Sequence, residues 1–476
     1  MYDRNYILDL ISQFSGDDQN RIAFKLYDGT QITDICYRHF AEAALETAGF
    51  FQEKRIVNSH IALIGANSYE WIVAFFGIVA SGNVAVLLNP ELSRELLLHQ
   101  CGQADVFLVC GEADIVSELT ESIPCFSFDE MKKTRQIDVE RRALALPDDT
   151  SVLLFTSGTT GESKIAQISY KNMDSSIRSA DGVFSVPGID KVMTALPFFH
   201  IAGLRGTLAM MHRYKTLCIG RGVRYLFQDM AVFSPSYVLL VPMIVESIVK
   251  IIKNISAEEA QQRYLGTQLK RICVGGATID PMVCRFLMEK GFIIDSGYAM
   301  TETTGVGTWG QWDEKHFNTI GKLSSELQCR ISDGELLFKG SAIMKGYYKD
   351  PEATSAVMED GWLHSGDLGF CDEDGYYYLT GRKKQVIVMP NGEKINPEEL
   401  ENHLRTCDAI LECLVYLDGK WLCADIYADD SVAAERFVEA YNRNVPLAYH
   451  IHKMIFHSEP LRKTASGKLI RKENAQ

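Results

Sequence analysis

The sequence predicts an α/β protein: a large N-terminal domain of mixed α/β sheets, a β-rich subdomain, and a small α+β C-terminal domain. Three observations predict it. Residues 60–110 alternate apolar runs with helical segments, a second alternating set runs from about Val192 to Asp295, and from about Thr319 the pattern shortens into β-like segments before changing again near Val386. In the first set HIALIG, VAVLL and VFLVC are apolar runs with one helical segment between each pair. Crossovers of that length imply parallel strands covered on both faces. Asn67, with Glu70 three residues on, reads as a capping box for the first helix. Trp71–Leu88 is the best candidate for a membrane span, but Ser81, Gly82 and Asn83 cut it in two, which fits a buried helix followed by a buried strand.

The second set comprises strands near Val192, LCI (217–219), YVLLV (237–241), RICV (271–274) and FIID (292–295). Between about Thr319 and Tyr378, segments such as GELLFKG and EDGYYYL alternate in side-chain character and are broken by Gly and Asp, so they are expected to be mainly β. The C-terminal stretch then reads as VIVM, a Pro-initiated helix PEELENHLRT, strands around ECLVYL and KWLCADIYA, a helix from Ser431 and a strand KMIFH. No Pro/Ser-rich linker marks the boundary, so its placement at 382–384, leaving residues 1–381 and 385–476 as domains, rests on the change of pattern and on the motif GRKKQVIVMPNGEKINPEELE (381–401) there.

The chain has 476 residues, 46% hydrophobic and 23% charged, as expected of a globular protein with a sizeable core. A net charge of -14 argues against a nucleic-acid-binding surface and requires any acidic substrate to find a local positive site. The twelve cysteines have neither C-x-x-C nor zinc spacing and are read as reduced thiols. The N-terminus lacks a basic stretch followed by an apolar core, so no signal peptide is read and a cytoplasmic location is expected.

The chemistry centres on SVLLFTSGTTGESK (151–164), where an apolar run leads into a loop of hydroxyl residues and glycines closed by a lysine. Gly158 and Gly161 let N–H groups converge on an anion; Thr156, Ser157, Thr159 and Thr160 add donors, and Lys164 adds a positive charge. A Walker loop is excluded on two grounds. No Gly-Lys-Ser/Thr follows at the required spacing, and IAQIS (165–169) alternates like a strand where a Walker loop opens a helix.

With LPFFHIAG (196–203), VGGA (274–277), GYAMTET (297–303), GWLHSGDLG (361–369), GRKKQVIVMPNGEKINPEELE (381–401) and KTASGK (463–468) following in order, the chain resembles the adenylate-forming superfamily of acyl-CoA ligases, carrier-loading adenylation domains and luciferases. Among these it is most like a bacterial acyl-CoA ligase. The resemblance covers nearly the whole chain and implies activation of a carboxylic acid by ATP to an acyl-adenylate, release of pyrophosphate, and acyl transfer to a thiol. The expected acceptor is coenzyme A. A stand-alone enzyme loading an acyl carrier protein, or an o-succinylbenzoate-CoA ligase-like enzyme, is the alternative.

The resemblance also implies roles. Glu302 would hold Mg²⁺, Thr301 would contact the α-phosphate, and Gly275, Gly276, Ala277 and Tyr298 would bind the nucleotide with the loop. Asp367 and Arg382 would hold the ribose, a carboxylate suiting a diol because it accepts two hydrogen bonds. Lys468 would reach the carboxylate and α-phosphate during adenylation. Residues 382–384 would be a hinge centred on Lys384, about which a mobile C-terminal lid turns to bring Asn391 and Gly392 to the thiol's path. Phe199, His200, Gly297 and Ala299 would line the acyl pocket, with Arg205 at its mouth as a partner for a distal carboxylate. Ala299 stands where glycine is commonest, so a medium-length or aryl acid is expected to be preferred.

Overall fold

The apolar runs of the first alternating set pair as expected in a computed structural model of the protein, which describes residues 5–16, 18–132, 146–156, 163–276, 279–389, 393–462 and 469. The strands His60–Ile64, Val84–Leu88, Leu108–Gly111 and Thr150–Phe155 are parallel, in the order 108–111, 60–64, 84–88, 150–155. Ile165–Ser169 then turns back antiparallel to Thr150–Phe155, and Gly346–Tyr347 lies antiparallel along its other edge. Val84–Leu88 is buried along its whole length, because helices cover both faces of a parallel sheet.

The helix Tyr69–Ala80 is the buried element expected from Trp71 onward; Trp71, Phe75 and Phe76 are at most 1% exposed. Its N-cap differs from the expectation. Ser68, not Asn67, caps it by accepting from the Trp71 N–H, while Asn67 accepts from the Phe198 N–H at 2.8 Å and donates to the Leu196 carbonyl at 2.8 Å. Both residues are good caps, and a tertiary demand on one left the other to serve the helix.

The second alternating set forms a larger sheet whose parallel strands run in the order Ile293–Ala299, Arg271–Val274, Tyr237–Leu240, Lys191–Thr194, Thr216–Ile219, Ile22–Tyr27. Antiparallel Gly307–Gln311 and Gly321–Leu323 extend it beyond Ile293–Ala299. The strands named so far belong to one compact unit, residues 1–329 with 338–363.

A second unit comprises residues 330–337 and 364–476. In it the 367–371 part of the strand Trp362–Cys371 pairs antiparallel with Tyr376–Arg382, and a sheet of Ile410–Asp418, Trp421–Ala428 and Ile451–His457 packs with the helices Pro397–Leu404 and Ser431–Arg443. Leu404, Leu422, Ile426 and Val438 are fully buried at its core, each contributing about 1.5–3 kcal/mol relative to exposure. Asn396 and Asp430 cap the two helices, so the Pro-initiated helix and the helix from Ser431 begin where the sequence indicates. The cysteines are free thiols, and among the described residues no helix is long and apolar enough to cross a membrane.

Candidate functional site

The phosphate-loop candidate connects the antiparallel pair Thr150–Phe155 and Ile165–Ser169, with Phe155 opposite Ile165. Its neck is closed where the Thr156 N–H donates to the Lys164 carbonyl at 2.8 Å. Ser157, Gly158, Thr159, Thr160 and Gly161 lie outside the described residues, as do Ala277, Asn391, Gly392 and Lys468. The strand IAQIS thus does what its alternation indicated, returning the chain along the sheet.

Lys164, at the end of the loop, meets a residue that the sequence reading missed. Tyr347, 7% exposed, sits opposite Ala166, and its ring face carries the Lys164 ammonium 4.8 Å from the centroid. The Tyr347 hydroxyl donates to Glu302 Oε1 at 2.7 Å. Glu302 and Lys164 are therefore joined through one side chain. Burial, and then the Glu302 charge, push the Tyr347 pKa well above the ordinary phenol value, so the hydroxyl remains a donor at any working pH.

Glu302 stands in a tight turn. The Gly305 N–H donates to the Met300 carbonyl and the Thr304 N–H to the Thr301 carbonyl, both at 2.9 Å, with Thr304 in the left-handed region at φ 51°. The Met344 N–H donates to the Glu302 carbonyl at 2.9 Å, and Thr304 Oγ1 donates to the Ala342 carbonyl at 2.7 Å, which anchors the turn to the segment carrying Tyr347. Just before the turn, Gly297, Tyr298 and Ala299 pair with Trp309, Thr308 and Gly307; Tyr298 packs on Phe338 with centroids 6.1 Å apart, and Ala299 is exposed. Gly275 and Gly276 follow the strand Arg271–Val274. Gly276 has φ 87°, favouring glycine, and a Cβ on Gly275 would meet nothing within 4 Å. That opening fits a flat base lying against the backbone, and one carboxylate beside a phosphate-type loop fits the oxygen preference of Mg²⁺.

His200 caps the helix Ile201–His212 by position, with its ring 4.6 Å from that of Phe199. Although the ring reaches solvent, the protein around it disfavours the cation and lowers its pKa, leaving it neutral at pH 7. Gly203 is dictated by packing: a Cβ there would lie 2.1 Å from the Pro197 carbonyl oxygen. Two residues on, Arg205 donates from Nη2 to Ser179 Oγ at 2.8 Å and from Nε to the Ser176 carbonyl at 3.4 Å. Burial lowers its pKa to about 10, and no carboxylate pairs with it among the described residues.

In the second unit, Asp367 and Arg382 are directly opposed across their strand pair, Nε to Oδ1 being 2.6 Å, with Asp367 only 3% exposed. Glu335, equally buried, gathers Lys383 Nζ at 2.7 Å, His364 Nδ1 at 3.2 Å and the Gly366 N–H at 3.0 Å. Burial raises its pKa, but those partners outweigh it and hold the carboxyl below its usual range. Lys384 follows within the 3₁₀ turn Lys383–Gln385.

Comparison with known proteins places this geometry in context. The sequence profile described as AMP-binding enzyme matches residues 14–348. A 2-succinylbenzoate--CoA ligase of Bacillus velezensis is 29% identical, covering 86% of this chain and 86% of that protein. The long-chain-fatty-acid--CoA ligase FadD15 of Mycobacterium bovis is 24% identical, covering 90% of this chain and 82% of that protein. Among solved structures, the o-succinylbenzoate CoA synthetase of Bacillus subtilis in complex with its acyl-adenylate intermediate superposes with a TM-score of 0.85 at 23% identity, covering 99% of this chain and 98% of that one. ATP-bound MatB from Rhodopseudomonas palustris gives 0.85 at 20% identity, covering 98% and 97%.

Proposed function

The chain belongs to the AMP-binding enzyme family, and from that membership we propose that it is an AMP-forming acid–thiol ligase, activating a carboxylic acid with ATP and passing the acyl group to coenzyme A. One observation carries the reading: Glu302 and Lys164 meet on Tyr347 at the neck of the hydroxyl- and glycine-rich loop. An acidic and a basic group at the mouth of an anion-binding loop suit a metal–triphosphate. The relatives support the second half-reaction, since those matched include ligases of coenzyme A with fatty, oxalic and succinylbenzoic acids.

The acid is already ionised at pH 7, so the first step needs positioning and charge neutralisation and no general base. Its carboxylate oxygen attacks the α-phosphorus, the bond to the bridging oxygen breaks, and pyrophosphate leaves. The thiolate then attacks the acyl carbonyl and AMP departs. Bound Mg²⁺ would neutralise phosphate charge, with Glu302 as its protein ligand. Lys164 supplies the fixed positive charge, Asp367 and Arg382 hold the ribose, Thr301 contacts the α-phosphate, and Lys468 reaches the reacting carboxylate. The hinge at 382–384 separates the two steps. ATP/pyrophosphate exchange over aliphatic, aryl and dicarboxylic acids with CoA omitted tests the first half, and thioester formation with CoA against a carrier protein tests the second. No exchange with any acid would reject the reading.

Arg205 favours a second reading of the substrate. Its guanidinium, part-buried and bonded only to Ser176 and Ser179, lacks an acidic partner among the described residues, so a distal carboxylate would complete it. Arg205→Ala should then raise KM for dicarboxylic acids and spare monocarboxylic ones; equal damage to both would leave Arg205 a brace between helices.

A further inference from the structure

We propose that Tyr347 is a positioning residue of the adenylation step, holding the Glu302 carboxylate on its hydroxyl and the Lys164 ammonium on its ring face so that the two charges meet the triphosphate without neutralising each other. This rests on the adenylation reading above. Lys164 and Glu302 carry opposite charges at one loop mouth, and a direct ion pair would be the ordinary outcome. Yet Lys164 has no ion-pair partner among the described residues and rests on the Tyr347 ring at 4.8 Å. Glu302 spends Oε1 on the Tyr347 hydroxyl at 2.7 Å, which leaves Oε2 for a metal.

Tyr347 is itself held firmly. Its N–H donates to Thr354 Oγ1 at 2.8 Å, Gly346 and Tyr347 pair with Gln167 and Ala166, and the ring is 7% exposed. The element presenting it therefore hangs on the strand that closes the loop, and the Glu302 turn is tied to the same segment through Met344 and Ala342. A buried hydroxyl donating to one oxygen holds the carboxylate in place, which is what a single-carboxylate metal ligand needs.

Calorimetry of nucleotide binding, which requires neither acid nor thiol, tests this separately from the ligase reading. Tyr347→Phe keeps the ring and removes the hydroxyl. It should weaken binding of ATP with Mg²⁺ by about tenfold, the scale of one hydrogen bond to a charged group, and leave ATP in EDTA within about twofold. Tyr347→Leu should weaken both. In Glu302→Gln the additional Tyr347→Phe change should cost little, because Tyr347 acts through the carboxylate. Equal loss with and without Mg²⁺ in Tyr347→Phe, or full additivity with Glu302→Gln, would overturn the proposal. A structure of the unmodified protein with ATP and Mg²⁺ decides independently of any variant's folding: the Tyr347 hydroxyl must still donate to Glu302 Oε1, and its release would overturn the proposal. A protein that binds ATP with Mg²⁺ but exchanges no pyrophosphate would sink the ligase reading alone.

Discussion

Glu302 is an unremarkable acid in a loop until its neighbours are known. With one oxygen on Tyr347 and its backbone tied to Met344, its remaining oxygen is directional. Glu302→Gln keeps the shape and should lower ATP/pyrophosphate exchange by at least roughly 10²-fold with an unchanged melting temperature, the scale of losing one preorganised electrostatic group; wild-type-like exchange would end the metal-ligand assignment. Ala299 makes a finer prediction. It is exposed at the end of Ile293–Ala299, where its methyl is the whole side chain. Removing it in Ala299→Gly should move the preferred acid length upward, with about 1–3 kcal/mol of discrimination per methylene. An optimum that stays put, measured as kcat/KM over a chain-length series, would remove Ala299 from the expected acyl pocket.

Secondary-structure elements were more legible in the sequence than the bonds between them. IAQIS alternates, and it is a strand; VAVLL is apolar throughout, and it is buried on both faces. Asn67 shows where local reasoning stops: Asn67 and Ser68 are both good N-caps, and only the folded position of Leu196 and Phe198 assigns Asn67 elsewhere. Tyr347 was invisible for the same reason, since the pairing of Gly346–Tyr347 with Gln167 and Ala166 joins segments far apart in the chain and nothing in GYYKD announces it. Asp367 and Arg382, named separately in the sequence, are cross-strand partners, which a reading of each motif alone does not reveal. A buried acid bonded to that strand pair yields another prediction. Glu335 is held below its ordinary pKa by Lys383, His364 and the Gly366 N–H, so its stabilising contribution is present above the unfolded carboxyl's pKa and is lost as pH falls through the folded one. Unfolding followed from pH 7 downward should therefore show an acid-dependent loss beginning below about pH 4.5 that is reduced in Glu335→Gln, at the cost of a lower melting temperature at pH 7. An identical pH profile in the variant would show that the carboxylate does not act through its charge.

Across the whole molecule, the chemistry of two successive steps makes incompatible demands: adenylation needs a cation beside the reacting carboxylate, and thiol transfer needs that place vacated for the incoming sulfur. On the reading proposed above, a chain that turns about Lys384 would meet both demands in sequence, with Lys468 serving the first step and Asn391 and Gly392 the second. Lys384 occupies the 3₁₀ turn Lys383–Gln385, between Arg382, whose guanidinium is paired with Asp367, and the small C-terminal sheet domain. Proline at that position fixes φ and removes a backbone donor, so it should restrict the turn without touching the nucleotide residues. Lys468→Ala should accordingly lose acyl-adenylate formation while still converting supplied acyl-adenylate and CoA to thioester. Lys384→Pro should do the reverse, forming adenylate and releasing pyrophosphate but stalling before thioester. Single-turnover assays of each half-reaction separate the two variants, and equal damage to both halves in both variants would refute the division of labour and leave one fixed arrangement for the entire reaction.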